Sequence, residues 1–448
     1  MTAPNLPRRL IASHGPMFPV NIMVLGALAA GLVVSIVFLQ DGITPKSDLF
    51  VRGSALGLVL TLGYLACVLG RRGNARLLAV LAAAAIAGEL SIRAAGTFMT
   101  RIPDDVDWRQ PKPYVMFTGP AGKTMNGPPQ MGGSDADRKT RFNAEGFRAD
   151  SEIVVPKPAD ELRIFVVGGS TVVHGAPLAN TIPGVIEAEL RAGGISAARV
   201  YNFGVVSAVS GQELSLLVHR LIDLEPDLVI AYDGGNDLFQ PWFYDPRPGY
   251  PFNFTAWEAA IDALSRASAA SRKTIAGLAT DSALLQALLG TRQREIRTSV
   301  EDQRREAGYG SSDWKRAAVD IYARNVAAMC RISRASGILF AGFFQPMLPY
   351  SASLDDRQMA MSGGADIVRN LREQRNLVPG AMAARLSDVR PGAGCRFVDL
   401  SGMFEDAGTE RFWDLIHVDN DGNRLIGRRI AEDILAWGAL PLRHPAAR

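Results

Sequence analysis

The chain has 448 residues, more than one ordinary domain needs and enough for two or three folded units. A formal net charge of +3 creates no field that would draw nucleic acid, and five histidines with three cysteines in no zinc-like spacing give no reason to expect a metal or a cofactor. Apolar residues make up 48% of the chain but crowd into its first hundred positions, which sets that part apart from the rest.

Residues 20–39 are apolar and uncharged throughout, long enough for a helix to cross the roughly 30 Å of a bilayer's hydrocarbon. Residues 53–70 form a second such run, with Cys67 inside it, and the alanine-rich residues 77–95 a third. The third is interrupted by Glu89 and Arg93, which stand one helical turn apart and can pair. A cleaved leader is disfavoured, because two further runs follow the first and no small-residue cleavage site stands out. Buried core helices remain the competing reading for runs two and three. Between those runs lie Arg71, Arg72 and Arg76, whereas the first loop carries Lys46 and Arg52 offset by Asp41 and Asp48. The positive-inside tendency then places the N-terminus and second loop in the cytoplasm. With three spans, everything after about residue 100 lies outside the inner face. The expectation is a multi-pass inner-membrane protein with the lipid bilayer as partner and a periplasmic or otherwise extracytoplasmic domain, and it hangs on the third run.

Residues 101–160 are rich in Pro, Gly and Asp, show little periodicity, and read as an extended lead-in wrapping onto the next domain. From Leu162 the pattern becomes α/β. Strands are expected at Arg163–Val167, Ala198–Phe203, Asp227–Tyr232, Gly337–Phe344 and Arg396–Leu400, with helices near Ile182–Ala192, Gly211–Leu224 and Gly422–Trp437. Strands alternating with helices imply a parallel sheet with right-handed crossovers, hence an α/β domain over residues 161–440. A long insertion at about 240–335 opens with PWFYDPRPGYPFNFTAW and turns helical through RQREIRTSVEDQRREAG. The charged run reads as a solvated face. The aromatic stretch either packs as a satellite of the core or walls a substrate cleft. Cys330 and Cys395 precede the fourth and fifth strands and, outside the cytoplasm, are a candidate disulfide.

Chemistry concentrates in four loops, each at the carboxyl end of a strand or just before the last helix. In RIFVVGGSTVVHG two glycines turn the chain and present Ser170 at the sheet edge, where open α/β sheets bind ligands. The plain alternative is a glycine-rich turn with an N-capping serine. YNFGVVSAVSGQE is a small-residue loop able to present a backbone N–H. AYDGGNDL places Asn236 near the same edge, although Gly-Gly-Asn-Asp is also a natural turn sequence. FWDLIHVDNDGNRLIG carries Asp414 and His417 at a spacing that lets the carboxylate reach one ring nitrogen while the other faces the serine. His174 and His219 are rival bases.

Serine, small-residue loop, asparagine and Asp-x-x-His, in that order, resemble the SGNH (GDSL-like) hydrolase family over about residues 141–437, as a membrane-anchored bacterial member. The lead-in RFNAEGFRAD also resembles larger members. The resemblance implies a three-layer α/β/α, flavodoxin-like sheet. It implies Ser170 as nucleophile, His417 and Asp414 as its base and acid, and an oxyanion hole from the N–H groups of Ser170 and Ser207 with the Asn236 amide. Two positions depart from the pattern: Gly169 stands where the family has Asp, and Ser207 where it has Gly. The implied activity is hydrolysis of O-acyl or O-acetyl esters on carbohydrate or lipid through an acyl-serine. The alternatives are an O-acyltransferase modifying a cell-surface polysaccharide and a catalytically silent carbohydrate-binding domain.

Overall fold

The computed structural model of the chain describes residues 108–258, 261, 300–387, 394–406 and 408–440. The apolar runs at 20–39, 53–70 and 77–95 and most of the insertion lie outside the described residues. Among the described residues no helix is long and apolar enough to cross a membrane. Contacts divide the chain into two units, Met1–Ile102 with Glu258–Thr298 and Pro103–Trp257 with Ser299–Arg448. The sheet and the site belong to the second.

That unit begins not with a plain extended lead-in but with two short antiparallel hairpins. β1 (Gln110–Lys112) pairs with β2 (Met116–Thr118), and β3 (Thr124–Asn126) with β4 (Lys139–Arg141). Three-residue strands are too short to show an alternating pattern, but Phe117, Met125, Phe142 and Phe147 are buried and anchor the segment.

Five parallel strands follow: β5 (Leu162–Gly168), β6 (Ala198–Gly204), β7 (Leu228–Asp233), β8 (Leu339–Phe344) and β9 (Cys395–Asp399). Their order is β6-β5-β7-β8-β9, the flavodoxin-like 2-1-3-4-5 arrangement. Period-2 alternation on a sheet buried on both faces splits the core in two. Phe165, Val167, Val229, Ala231, Phe340 and Phe344 face one side; Ile164, Val166, Ile230, Tyr232, Ala341 and Phe343 face the other.

The helices run, in chain order, as α1 (Ser170–Val173), α2 (Ile182–Ala192), α3 (Ser210–Leu216), α4 (Gly235–Phe243), α5 (Ser312–Ala335), α6 (Asp356–Met361), α7 (Ala365–Arg385) and α8 (Asn420–Trp437). Ile182, Ile186 and Leu190 of α2 with Ile426, Ile430 and Ile434 of α8 cover one face. Leu216 of α3, Ala318, Val319 and Tyr322 of α5 and Leu371 of α7 cover the other, which completes the three layers. Side chains of the expected types start the helices: Thr181 accepts from Gly184 N–H at 3.2 Å and Asp419 from Gly422 N–H at 2.7 Å. The helix expected over Gly211–Leu224 instead ends at Leu216, and the chain continues through a wider turn, Leu217–Leu221, and a tighter one, Ile222–Leu224.

Arg163, at the start of β5, is wholly buried, and its guanidinium donates to the carbonyls of Leu224 at 2.7 Å and Val154 at 2.9 Å and to Glu161 at 2.5 Å. On the outer edge of the sheet, α2 reaches down to β6. Glu187 accepts from the Val200 N–H at 2.8 Å, and Arg191 donates to the Ala198 carbonyl at 2.8 Å. The aromatic stretch after α4 divides. Trp242 is buried, edge-on to Trp314 at 4.6 Å, and Trp314 donates to the Pro246 carbonyl at 2.6 Å. Phe243, Tyr244, Tyr250 and Trp257 remain partly exposed.

Cys330 near the end of α5 and Cys395 at the start of β9 are joined in a disulfide, with Cα atoms 5.8 Å apart and a sequence separation of 65. Closing a loop of that length restricts the unfolded chain. Replacing both cysteines by alanine is expected to lower unfolding stability by about 2–4 kcal/mol in urea titrations. Alkylation of the untreated protein is expected to leave both sulfurs unmodified until a reductant is added.

Candidate active site

The sheet order reverses direction between β5 and β7, and ligands in such sheets bind in the crevice beyond the carboxyl ends of those strands. Register places Gly168 beside Gly204 and Tyr232, so the loops after β5, β6 and β7 leave the sheet at one level. The chain must turn at once after β5. A Cβ on Gly168 would lie 2.3 Å from the Tyr232 carbonyl oxygen, and one on Gly169 would lie 2.4 Å from Nδ2 of Asn236. The position that carries Asp in the resembled family is therefore closed here to any side chain while Asn236 keeps its place.

Ser170 opens the single turn of α1, with its Oγ 2.7 Å from Nε2 of His417. The other ring nitrogen of His417, Nδ1, lies 2.6 Å from Oδ2 of Asp414. Local chemistry builds this geometry. Oδ1 of Asp414 accepts from the N–H groups of Ile416 and His417, both at 2.8 Å, which folds the Asp-x-x-His segment back on itself. Two rungs close the loop: Trp413 N–H donates to the His417 carbonyl at 3.1 Å, and Asp419 N–H to the Arg411 carbonyl at 2.9 Å. The Trp413 indole stacks on the His417 ring, centroids 4.7 Å apart and planes 17° from parallel. Burial on its own raises the Asp414 pKa. The hydrogen bond and charge of His417, with the two N–H donors, outweigh it and hold the carboxyl below its ordinary value. Asp414 is therefore an anion at neutral pH.

The start of α8 is fastened to the loop behind Ser170. Asn420 accepts from Ala176 N–H at 3.0 Å and donates to the Ala176 carbonyl at 2.7 Å. Asn423 donates to the carbonyls of His174 and Asn180, both at 3.1 Å. Asn202 donates to the Val172 carbonyl at 2.7 Å and Arg148 to that of Val173, which takes up carbonyls of the short α1. None of these four stands out in the sequence alone. Their signal is only that they lie in stretches already singled out: RFNAEGFRAD for Arg148, YNFGVVSAVSGQE for Asn202 and DNDGNRLIG for Asn420 and Asn423.

The loop after β6 is held by three bonds. Val205 N–H donates to the Gly168 carbonyl at 2.9 Å, Asn236 Nδ2 to that of Ala208 at 2.6 Å, and Gln240 Nε2 to that of Ser207 at 3.0 Å. With one amide hydrogen of Asn236 so used, the second is left for another acceptor. Ser207 has φ of +67°, the left-handed region where glycine is at home and any Cβ is strained. That conformation gives a physical reason for the glycine of the resembled family. The serine keeps the same backbone N–H in the same turn.

The rival bases take other places. His174 is half-buried, its ring 4.6 Å from that of His417, and its shielded Nδ1 has no partner among the described residues. Burial above all, with His417 and Arg148 acting the same way, drives its pKa well below the ordinary value, so it is a neutral wall beside His417. His219 is exposed and stacks on Tyr114 of the first hairpin at 4.3 Å.

No protein-family model matches the chain, and no curated protein matches its sequence. Solved structures do. A putative GDSL-like lipase from Parabacteroides merdae is 12% identical, the match covering 64% of this chain and 100% of that one, with a TM-score of 0.35. A GDSL-like lipase from Bacteroides thetaiotaomicron is 12% identical over 64% of this chain and 93% of that one, at 0.33. An acetylxylan esterase from Geobacillus stearothermophilus is 10% identical over 64% and 97%, at 0.34. Overlaps this loose decide nothing by themselves about what the chain does.

Ser207→Gly is expected to raise unfolding stability by about 1 kcal/mol by relieving the left-handed strain. Ser207→Val, β-branched at the same φ, is expected to lower it; paired urea titrations read both.

Proposed function

We propose that Ser170, His417 and Asp414 act as nucleophile, base and orienting acid of a serine esterase. The observation that carries this is the continuous pair of short contacts, Ser170 Oγ to His417 Nε2 at 2.7 Å and His417 Nδ1 to Asp414 at 2.6 Å. His417 takes the proton as Oγ attacks an ester carbonyl, and Asp414 stabilises the imidazolium. The N–H groups of Ser170 and Ser207 with the free Asn236 amide hydrogen hold the developing oxyanion. Collapse expels the alcohol, which leaves with the proton from His417 Nε2, and water then releases the acid from acyl-Ser170. The same acyl-enzyme would pass its group to a polysaccharide hydroxyl if water were excluded, and that is the acyltransferase reading. The intact constellation speaks against a silent binding domain.

We place the substrate among O-acyl or O-acetyl esters of carbohydrate or lipid, in keeping with the partly exposed Tyr244, Tyr250 and Trp257 that follow α4. Three membrane spans at 20–39, 53–70 and 77–95 would hang the domain outside the cytoplasm. The Cys330–Cys395 disulfide supports that side, since structural disulfides persist in oxidising compartments.

A fluorophosphonate probe is expected to label the wild-type protein in unbroken spheroplasts and not to label Ser170→Ala or His417→Ala. Labelling only after lysis would overturn the proposed location and leave the chemistry intact. Asn236→Ala is expected to lower ester hydrolysis by about 100- to 1,000-fold in kcat, the usual loss for one oxyanion donor. Product analysis with and without a polysaccharide acceptor separates hydrolysis from transfer.

A further inference from the structure

Behind the Ser207 turn three acids are buried together: Glu213 on α3, Asp233 at the end of β7 and Asp237 on α4, none more than 3% exposed. Asp237 is well supplied with donors. It accepts from the Ser210 N–H at 3.0 Å and from the Ser210 hydroxyl, and that hydroxyl accepts from Asn325 at 3.0 Å. Asp233 Oδ1 accepts from the Tyr322 hydroxyl at 2.9 Å. Among the described residues no donor reaches Asp233 Oδ2 or either oxygen of Glu213, although the two side chains lie within hydrogen-bonding range of each other. Among the described residues the charges acting on Glu213 are those of Asp233 and Asp237, and no basic side chain offsets them. Among the described residues these acids form no metal-binding group.

Two adjacent carboxylates, both ionised and with three oxygens unserved in a dry pocket, would be very costly. One proton between them supplies the missing donor. We infer that Glu213 and Asp233 share a single proton, Glu213 donating to Asp233, and that this acid–carboxylate bond positions the oxyanion hole, so that its loss at alkaline pH shuts the site down. The proposal rests on the reading of Ser170 given above. Glu213 lies on the helix that begins just after the Ser207 turn, and Asp233 lies three residues before Asn236. The bond therefore ties together the two loops that carry the Ser207 N–H and the Asn236 amide. The Asp237–Ser210 contact is a second tie between the same loops, and Tyr322 and Asn325 of α5 brace both from below. Glu213 and Asp233 are positioning residues, not catalytic ones.

Electrostatics agree with the geometry. Burial first, then the neighbouring acids, drives the Glu213 pKa well above the ordinary carboxylate value; burial raises Asp233 as well, and pushes Asp237 up to about 7. The sign follows. Above the ordinary carboxylate range the unfolded chain has lost this proton and the folded chain has kept it. Folding stability therefore falls as pH rises from that range toward the raised value.

The test uses the full-length protein, wild type beside Glu213→Gln and Asp233→Asn, from about pH 5 to about pH 10, with fluorophosphonate labelling rate and thermal unfolding as readouts. Wild type is expected to lose about tenfold or more in labelling rate at the alkaline end, with Tm declining across the range. Glu213→Gln carries a permanent amide donor. It is expected to label within about threefold of wild type near neutrality, to hold that rate at the alkaline end, and to flatten the Tm profile. Glu213→Ala is expected to label slowly at every pH. If the Gln variant does not fold, Asp233→Asn makes the same test, since its amide donates to an ionised Glu213. An alkaline loss unchanged in both amide variants, or absent from wild type, overturns the proposal. Wild type that resists labelling at every pH overturns the Ser170 reading and with it the positioning role, while a flat wild-type Tm overturns the shared proton itself.

Discussion

The contact between Ser170 and His417 joins residues 247 positions apart, and its 2.7 Å length depends on side chains that touch neither Oγ nor the imidazole. Asn420 and Asn423, in the first turn of α8, bond backbone groups of the loop that follows α1. Asn420 both donates to and accepts from Ala176, much as a neighbouring strand would. Without those amides the Ala176 N–H and the carbonyls of His174 and Asn180 would lose these partners, at a cost of about 1–3 kcal/mol for each group left buried and unpaired. The Asp414 turn then fixes His417 two residues ahead of the Asp419 cap. Nucleophile and base are thus referred to one another through backbone bonds rather than through loop packing.

The carboxyl group appears in two opposite electrostatic settings. Asp414 is partly exposed, receives two backbone N–H bonds and one from imidazole, and stays ionised. Glu213 is buried, receives none from the protein, and is pushed the opposite way. What separates them is the number of donors, not the distance from solvent alone. Arg148 shows the cationic counterpart: burial lowers its guanidinium to about 10, and its bond to the Val173 carbonyl holds it close to neutral His174.

Much of this was readable beforehand. Five strands fell within one to two residues of their expected bounds because a strand buried on both faces reads as a short continuous apolar run bounded by turn residues. The four loops were legible because Ser, Asn and Asp-x-x-His each follow a strand or precede a helix. The hairpins β1–β4 left no trace, since three residues cannot display a period. Helix α7 was hidden although Val368, Leu371, Val378 and Met382 mark a buried stripe: Gln374 interrupts it and Pro379 reads as a breaker. Ser207 could be flagged as a departure from pattern, but its left-handed backbone could not. Nor could the closeness of Asn236 to Gly169, which depends on two loops meeting in space. Asp237 stood in plain view in GGND, yet nothing in sequence reveals that it is bound to Ser210.

One consequence belongs to the outer rim of the sheet. β6 is an edge strand, and an unpaired row of peptide groups invites another strand to add itself. Here part of that row is taken from within, because Glu187 and Arg191 of α2 already occupy the outward N–H of Val200 and carbonyl of Ala198. The guard is a pair of side chains on one helix turn rather than an extra strand, so it holds only while α2 stays seated on the sheet. Lifting that helix would at once uncover a sticky border, which makes the seam between α2 and β6 the place where partial unfolding would turn into self-association.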